Sequence, residues 1–446
     1  MKRKIVFTLG SLLLCSFLFS SCSVNKNNGG IEKNADQTNS QIDSDTNNNN
    51  NESNNDDKKD FVWPDPEYDD VFRYQLREDN TYSIFPIDKT SLEGDLIIPE
   101  TFNDKKVTII EGNSFTFCDK VTSVSLSENI KKIGFQAFMS TKVGDDFVIS
   151  DSVIELGNSS FLDCGIKKLS IGSGVKDLPY GCFALNPIEE ITIGDNVKTM
   201  SQPFHQCHNL KAVNIGKSLE TISYGAFQDC ENLEVINVDS KNEYFVVENH
   251  GLFSKDKKTI FCLPAKIDVD NYILPNETEM IEMYAFNRTS IKQITFGEHL
   301  KAIGYDAFKY STSLNQVSFN NELETIDQGA FSFNTALEEI VLPNSVTNIG
   351  NSCFACNGLE SSLTKVVLPN NLQIIGQGVF LACDKLVDFV IPSSVTKIES
   401  KAFFDSINDF NYEGTVEEWS QIDIANNWSN KLGEITIHCS NGIAEC

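Results

Sequence analysis

Five histidines, five methionines and three tryptophans are all that 446 residues supply of those types. So few imidazoles leave little material for a metal centre. Basic residues are also scarce, 36 against 63 acidic, for a formal charge of −27 at pH 7. A surface that acidic repels phosphate backbones and argues against nucleic acid as a partner. Beyond the first 22 residues, no run approaches the ~20 apolar residues that a membrane-spanning helix needs. No Walker loop, G-x-S-x-G elbow or zinc-protease helix motif occurs, and the carboxylates are scattered through turns. These gaps point away from an enzyme, and no cofactor is expected.

The chain opens MKRKIVFTLGSLLLCSFLFSSC, with Lys2, Arg3 and Lys4 before an apolar core from Ile5 to Phe19. That core is too short for a comfortable span and reads as an export signal, residues 1–21. Ser20 and Ser21 before Cys22 resemble a bacterial lipobox, which implies a lipid on Cys22 and a chain held at the bacterial cell surface or outer membrane. An ordinary signal peptide with an incidental cysteine is the alternative. Residues 22–62 are rich in Asn, Asp and Ser, bury almost nothing, and are expected to be a disordered tether.

From Phe115 onward a unit recurs. Its phenylalanine anchors are Phe115, Phe138, Phe161, Phe183, Phe204, Phe227, Phe286, Phe308, Phe331, Phe354, Phe380 and Phe403. Most neighbours are 21 to 23 residues apart, with long gaps after Phe227 and Phe354. A fixed period in that range marks a solenoid. Five residues before most anchors stands an aliphatic residue, such as Ile133, Leu178 or Ile326. A strand-like run follows each anchor, such as Leu210, Val213 and Ile215. Alternation at the end of that run puts its last two apolar residues on one strand face. One coil cannot bury its own apolar side, so stacked coils should lay one short parallel strand beside the next.

The pattern I-x-x-x-A-F-x-x-C-x-x-L-x-x-I-x-I, running from about Val107 to Ile391, resembles the BspA-like leucine-rich repeat family of bacterial surface proteins. The resemblance implies a right-handed repeat coil with a parallel β-sheet on one face, mostly β and irregular, with a cap at each end. It also implies an exported protein with a binding role, since several members are associated with adhesion to host or neighbouring-cell proteins. On this frame, residues 63–106 are the N-terminal cap, 107–238 and 272–410 the two repeat blocks, and 411–446 the C-terminal cap. Residues 239–271 form an irregular insertion of three extended runs, Phe245 to Val247, Leu252 to Ser254 and Thr259 to Leu263. It is either an elaborated repeat or a hairpin that takes part in binding.

Cysteine is best explained by position. Cys118, Cys164, Cys207, Cys230 and Cys383 all stand three residues after an anchor, where other coils carry Thr141, Asn186, Ser311 or Ser406. A site that accepts Cys, Ser, Thr and Asn is a small interior hydrogen-bonding ladder, not a reactive centre. His205, Cys207 and His208 look superficially like metal ligands, but no second pair accompanies them. Cys353 and Cys356 form a C-x-x-C without a redox context. In an exported chain Cys439 and Cys446 are the pair to consider for a disulfide.

Reading outward positions from the alternation gives small polar pairs in early coils, such as Ser123 with Ser125 and Glu190 with Thr192. The last three coils give Glu339 with Val341, Lys365 with Val367, and Asp388 with Val390. Exposed aligned valines cost solvation unless covered, so these six residues are the expected ligand-binding sheet face. Strand propensity alone is the competing explanation of the valines. The expected function is binding of an extracellular protein by a monomer. Glycan or cell-wall polymer binding on the polar early sheet, or an envelope spacer without a ligand, are the rivals, with a hydrolase last.

Overall fold

The computed structural model describes residues 65–356, 359–429 and 435–445. The chain from Phe61 to Cys446 forms one compact unit. It is a β-solenoid with very little helix, and among the described residues no helix is long and apolar enough to cross a membrane. The signal segment, Cys22 and the tether lie outside the described residues.

Each coil carries two strands where the sequence suggested one. The longer strand is the expected alternating run, as in Lys168–Ile171, Glu190–Ile193 and Ala212–Ile215, paired in parallel and in register. The shorter has two residues, as in Asp177–Leu178, Thr199–Met200 and Thr221–Ile222, also paired in parallel. It contains the buried apolar residue five places before the anchor, or four in the case of Met200, and the neighbour of that residue is the more exposed of the two. The coil is therefore flanked by a long ladder and a short ladder. Between the short strand and the next long strand the chain bends in an arc around the phenylalanine.

That arc has a fixed conformation. Two residues before every anchor, and two after eleven of them, φ is positive, for example Asn113 at 58° and Phe117 at 60°, or Lys401 at 58° and Asp405 at 51°. Left-handed backbone costs a non-glycine residue roughly 1–2 kcal/mol, so other interactions must hold it. The arcs hydrogen-bond to one another coil by coil, with Phe115 N–H on Ala137 O at 2.7 Å and Phe138 N–H on Ser160 O at 2.8 Å. Approach is close enough that a methyl on Gly157 would lie 2.4 Å from the Gly134 carbonyl carbon.

The anchors stack through the interior in two runs, Phe115 to Phe204 and Phe286 to Phe403. Ring centroids are 5.1 Å apart for Phe115 and Phe138, 5.2 Å for Phe138 and Phe161, 4.6 Å for Phe286 and Phe308, and 4.9 Å for Phe308 and Phe331, with planes within 21° of parallel. The outer ends of the two runs are closed edge-on by an aromatic ring. Phe72, on the hairpin Phe72–Leu76 and Tyr82–Pro86, meets Phe115 at 83°. Trp428 meets Phe403 at 86°, and Trp419 packs against Trp428 at 6.2 Å, so both tryptophans are covering groups. Parallel pairing of the long ladder starts at Gly94–Ile97, which lies against Val121–Ser125.

The insertion is part of the wall. Phe245–Glu248 and Gly251–Ser254 pair antiparallel, Thr259–Cys262 pairs antiparallel to the second of these, and then in parallel with Met280–Ile281. It thus starts a new stretch of the short ladder. Leu252 belongs to the core before it and Phe253 to the core after it, because successive strand residues face opposite sides.

The position three after the anchor is a donor ladder. The Cys164 thiol donates to Phe138 O at 3.0 Å, Cys230 to Phe204 O at 3.2 Å and Cys383 to Phe354 O at 3.4 Å. The Ser311 hydroxyl reaches Phe286 O at 2.7 Å, the Asn186 amide Phe161 O at 2.7 Å, and Thr141 donates to Phe115 O. These six side chains bond the anchor carbonyl of the coil before, which explains why four residue types are interchangeable there, whereas Ser406 reaches Cys383 O and the buried polar atoms of Thr289 and Asn334 find no partner. Burial pushes the Cys207 thiol up to about 12, so it stays protonated and able to donate.

Candidate binding face

The six residues expected to form the sheet face lie on three successive long strands, Glu339–Val341, Lys365–Val367 and Asp388–Ile391. Their register is Glu339 to Lys365 and Val341 to Val367, then Lys365 to Asp388 and Val366 to Phe389. The same register carries Val367 to Val390. Side-chain alternation sends Ile340, Val366 and Phe389 inward, all fully buried, and leaves the valines outside. Val341 is 50%, Val367 40% and Val390 38% exposed. Beside this strip the Lys365 ammonium meets Glu339 at 2.6 Å. Val387, which the alternation did not pick out, stands just before its strand and is the most exposed of the large apolar side chains.

The strip borders a shallow, open depression formed by Gln293, Gln316, Val317, Glu338 and Glu339. At the other side it is continued by Asn411, beside Val390, and by His438, whose Nε2 is 2.8 Å from Asp409 Oδ1. The arrangement is a rigid apolar strip with charged and amide margins. It offers shape and desolvation to a partner.

Two expectations about the earlier sheet need correcting. In Val121–Ser125 the outward residues are Thr122 and Ser125, while Ser123 is half-buried, because the pairing with Gly94–Ile97 shifts register near Asp95. The early coils are also not purely polar. The strand Asp146–Ile149 puts Val148 outside at 62% exposure, but its register neighbour is Ser170, so it stands alone. Around it the charges pair across coils, with Lys167 to Asp145 at 2.8 Å and Lys211 to Glu189 at 3.1 Å.

The residues that resembled metal ligands diverge. Cys207 donates inward to Phe183 O at 3.4 Å, His205 Nδ1 is 2.9 Å from Gln202 O, and His208 lies at the surface facing Glu231. Among the described residues no group of three or more His, Cys, Asp or Glu could hold a metal ion. Cys353 and Cys356 do not form a redox pair. Cys353 is a core residue whose thiol burial pushes up, and Cys356 lies by Cys383 of the next coil, a neighbour that lowers it. The proposed Cys439–Cys446 pairing lies outside the described residues.

A leucine-rich repeat solenoid is the class that this geometry defines. The model of the BspA-type leucine-rich repeat region matches residues 87–200, 144–256, 264–361 and 359–440, and the chain belongs to that family. Among solved structures, the pneumococcal vaccine antigen PcpA is similar at 20% identity and TM-score 0.62, over 84% of this chain and 98% of that one. A leucine-rich cell surface protein from Faecalibacterium prausnitzii A2-165 is 20% identical at TM-score 0.59, over 81% of this chain and 98% of that one. A leucine-rich repeat protein from Eubacterium ventriosum is 21% identical at TM-score 0.52, over 76% and 93%. At these identities the likeness shows the fold. No curated protein sequence matches the chain.

Proposed function

We propose that this protein is a lipid-anchored surface module that adheres to host extracellular or neighbouring-cell proteins, binding them through the strip Val341, Val367 and Val390. The observation that carries the reading is the contiguity of the three valines. Single exposed apolar residues are ordinary on protein surfaces, whereas an in-register apolar column on a rigid sheet costs solvation in every coil until a partner covers it. Glu339 and Lys365 at its edge give the polar margin common to protein interfaces. A solenoid face of several coils can supply the ~800 Å² per partner that a specific interface commonly needs. Export and lipidation at Cys22 rest on the charged, apolar and Ser-Ser-Cys order of the first 22 residues. The chain acts as a monomer, without cofactor or catalytic step.

The test is a binding screen of residues 61–446 against immobilised matrix proteins and glycans in parallel. Saturable binding to a protein, lost in the Val341→Asp, Val367→Asp double variant with unchanged circular dichroism, is the expected outcome. Binding to glycans alone, or protein binding indifferent to both substitutions, overturns it.

A further inference from the structure

A second surface lies on the arcs, away from the sheet. Tyr180 and Tyr224 occupy the position three before their anchors and are 50% and 53% exposed. Tyr180 lies 5.2 Å from the His205 ring of the next coil. The left-handed Gly225 beside Tyr224 leaves room for the Tyr284 ring, whose Cδ2 is 2.9 Å from where a Cβ would stand. Tyr284 in turn meets Tyr305 edge-on at 5.8 Å. The insertion does not interrupt this ridge, because Asp229 N–H donates to Asn287 Oδ1 at 2.9 Å across it.

The ridge already holds one guanidinium. Arg288 lies 4.7 Å over the face of Tyr310 while its Nε donates to Asp229 Oδ1 at 2.6 Å. An aromatic face below and a carboxylate at the edge is the arrangement that recognises arginine, through cation–π attraction and directed hydrogen bonds. Tyr180 and Tyr224 present rings of the same kind to solvent, on a chain whose formal charge is −27. They are two coils apart, about 10 Å at one strand spacing per coil, which is also about the reach of three residues of extended peptide.

We propose that this arc ridge is a docking surface for an arginine-rich extended peptide segment of a partner protein, with arginines three residues apart over Tyr180 and Tyr224. The partner complements the acidic surface, and lysine is a poorer fit than arginine, because its ammonium lacks the planar face that stacks. The surface is separate from the valine strip, so the two fail independently.

The probe is a fluorescent Gly/Ser nonapeptide with arginine at its first, fourth and seventh positions, beside the same peptide with lysine. Anisotropy is read with the purified protein at about 150 mM salt, where long-range attraction is screened. Saturable binding is expected, several-fold weaker for lysine. It is expected to weaken at least roughly tenfold in the Tyr180→Ser, Tyr224→Ser variant, which leaves net charge unchanged. Tyr180→Phe with Tyr224→Phe keeps the ring faces and retains binding, which guards against a folding defect. Val341→Asp with Val367→Asp leaves it within about twofold. Absence of saturable binding, or binding equal for both peptides and indifferent to the tyrosines, overturns the proposal by reducing it to bulk charge attraction.

Discussion

Between Asp146 and Val238 the outward side of the long ladder is tied together by its own charges and amides. Lys167 reaches Asp145, Lys211 reaches Glu189, and Asn214 links Glu190 at 2.9 Å with Asn237 at 2.9 Å. Between Glu339 and Ile391 the same ladder turns valines outward. The strands have the same parallel register and the same buried columns behind them. The inward positions therefore hold the fold, and the outward ones are released to differ. Apart from Val148 and Val235, which face outward singly, the early stretch satisfies itself across coils, and the late stretch aligns its apolar surface for another molecule to cover.

The comparison fails if the two stretches do not rest on the same kind of anchor column. Phe138→Ala and Phe308→Ala each remove the middle ring of a stacked triple, at spacings of 5.1 and 5.2 Å and of 4.6 and 4.9 Å. Each should lose about 3–5 kcal/mol in urea unfolding. A loss confined to one of them would mean the stretches are held differently.

A smaller effect is expected in the donor ladder. Cys383→Val leaves the carbonyl of Phe354 buried without that donor, at a cost of about 1–3 kcal/mol, and Cys207→Val should cost less, because the Phe183 carbonyl keeps the Asn186 amide at 2.9 Å. The serine variants should lie within about 1 kcal/mol of the parent, since Ser311 makes the same bond in its own coil. Serine and valine behaving alike in chemical denaturation would remove hydrogen bonding as the reason for the ladder. The smallest effect belongs to the outer charges. Lys167→Ala should shift the thermal midpoint by no more than about 1 °C, and by nothing measurable in about 1 M salt, whereas a larger shift would make the pairs structural.

The period and the anchor column were legible because a phenylalanine recurs with an aliphatic residue five before it and a donor three after it. Outward valines could be read from alternation alone once the strand was placed. The short ladder was hidden, since a two-residue strand with one buried aliphatic residue shows no alternation. Its left-handed neighbours left a faint trace, the glycines at 181, 225, 329 and 378, each two before an anchor. Val148 was missed because Phe147 takes the inward place usually held by an aliphatic residue. The tyrosine ridge could not be read at all. Its members shift between the third and second positions before the anchor, and Tyr224 and Tyr284 become neighbours only when the insertion folds aside.

The donor ladder points one way, each bonded side chain serving the coil before it, while the anchor N–H groups reach the coil after. The array thus has a head and a tail that are chemically unlike, and an interior unit is interchangeable with any other cut at the same phase. Duplication of one whole period inside a block would lengthen the protein with every bond remade. A cut out of phase would strand donors on both sides of the seam. Reach can be adjusted in this lineage by copying alone, in steps of one coil, with both terminal covers left untouched.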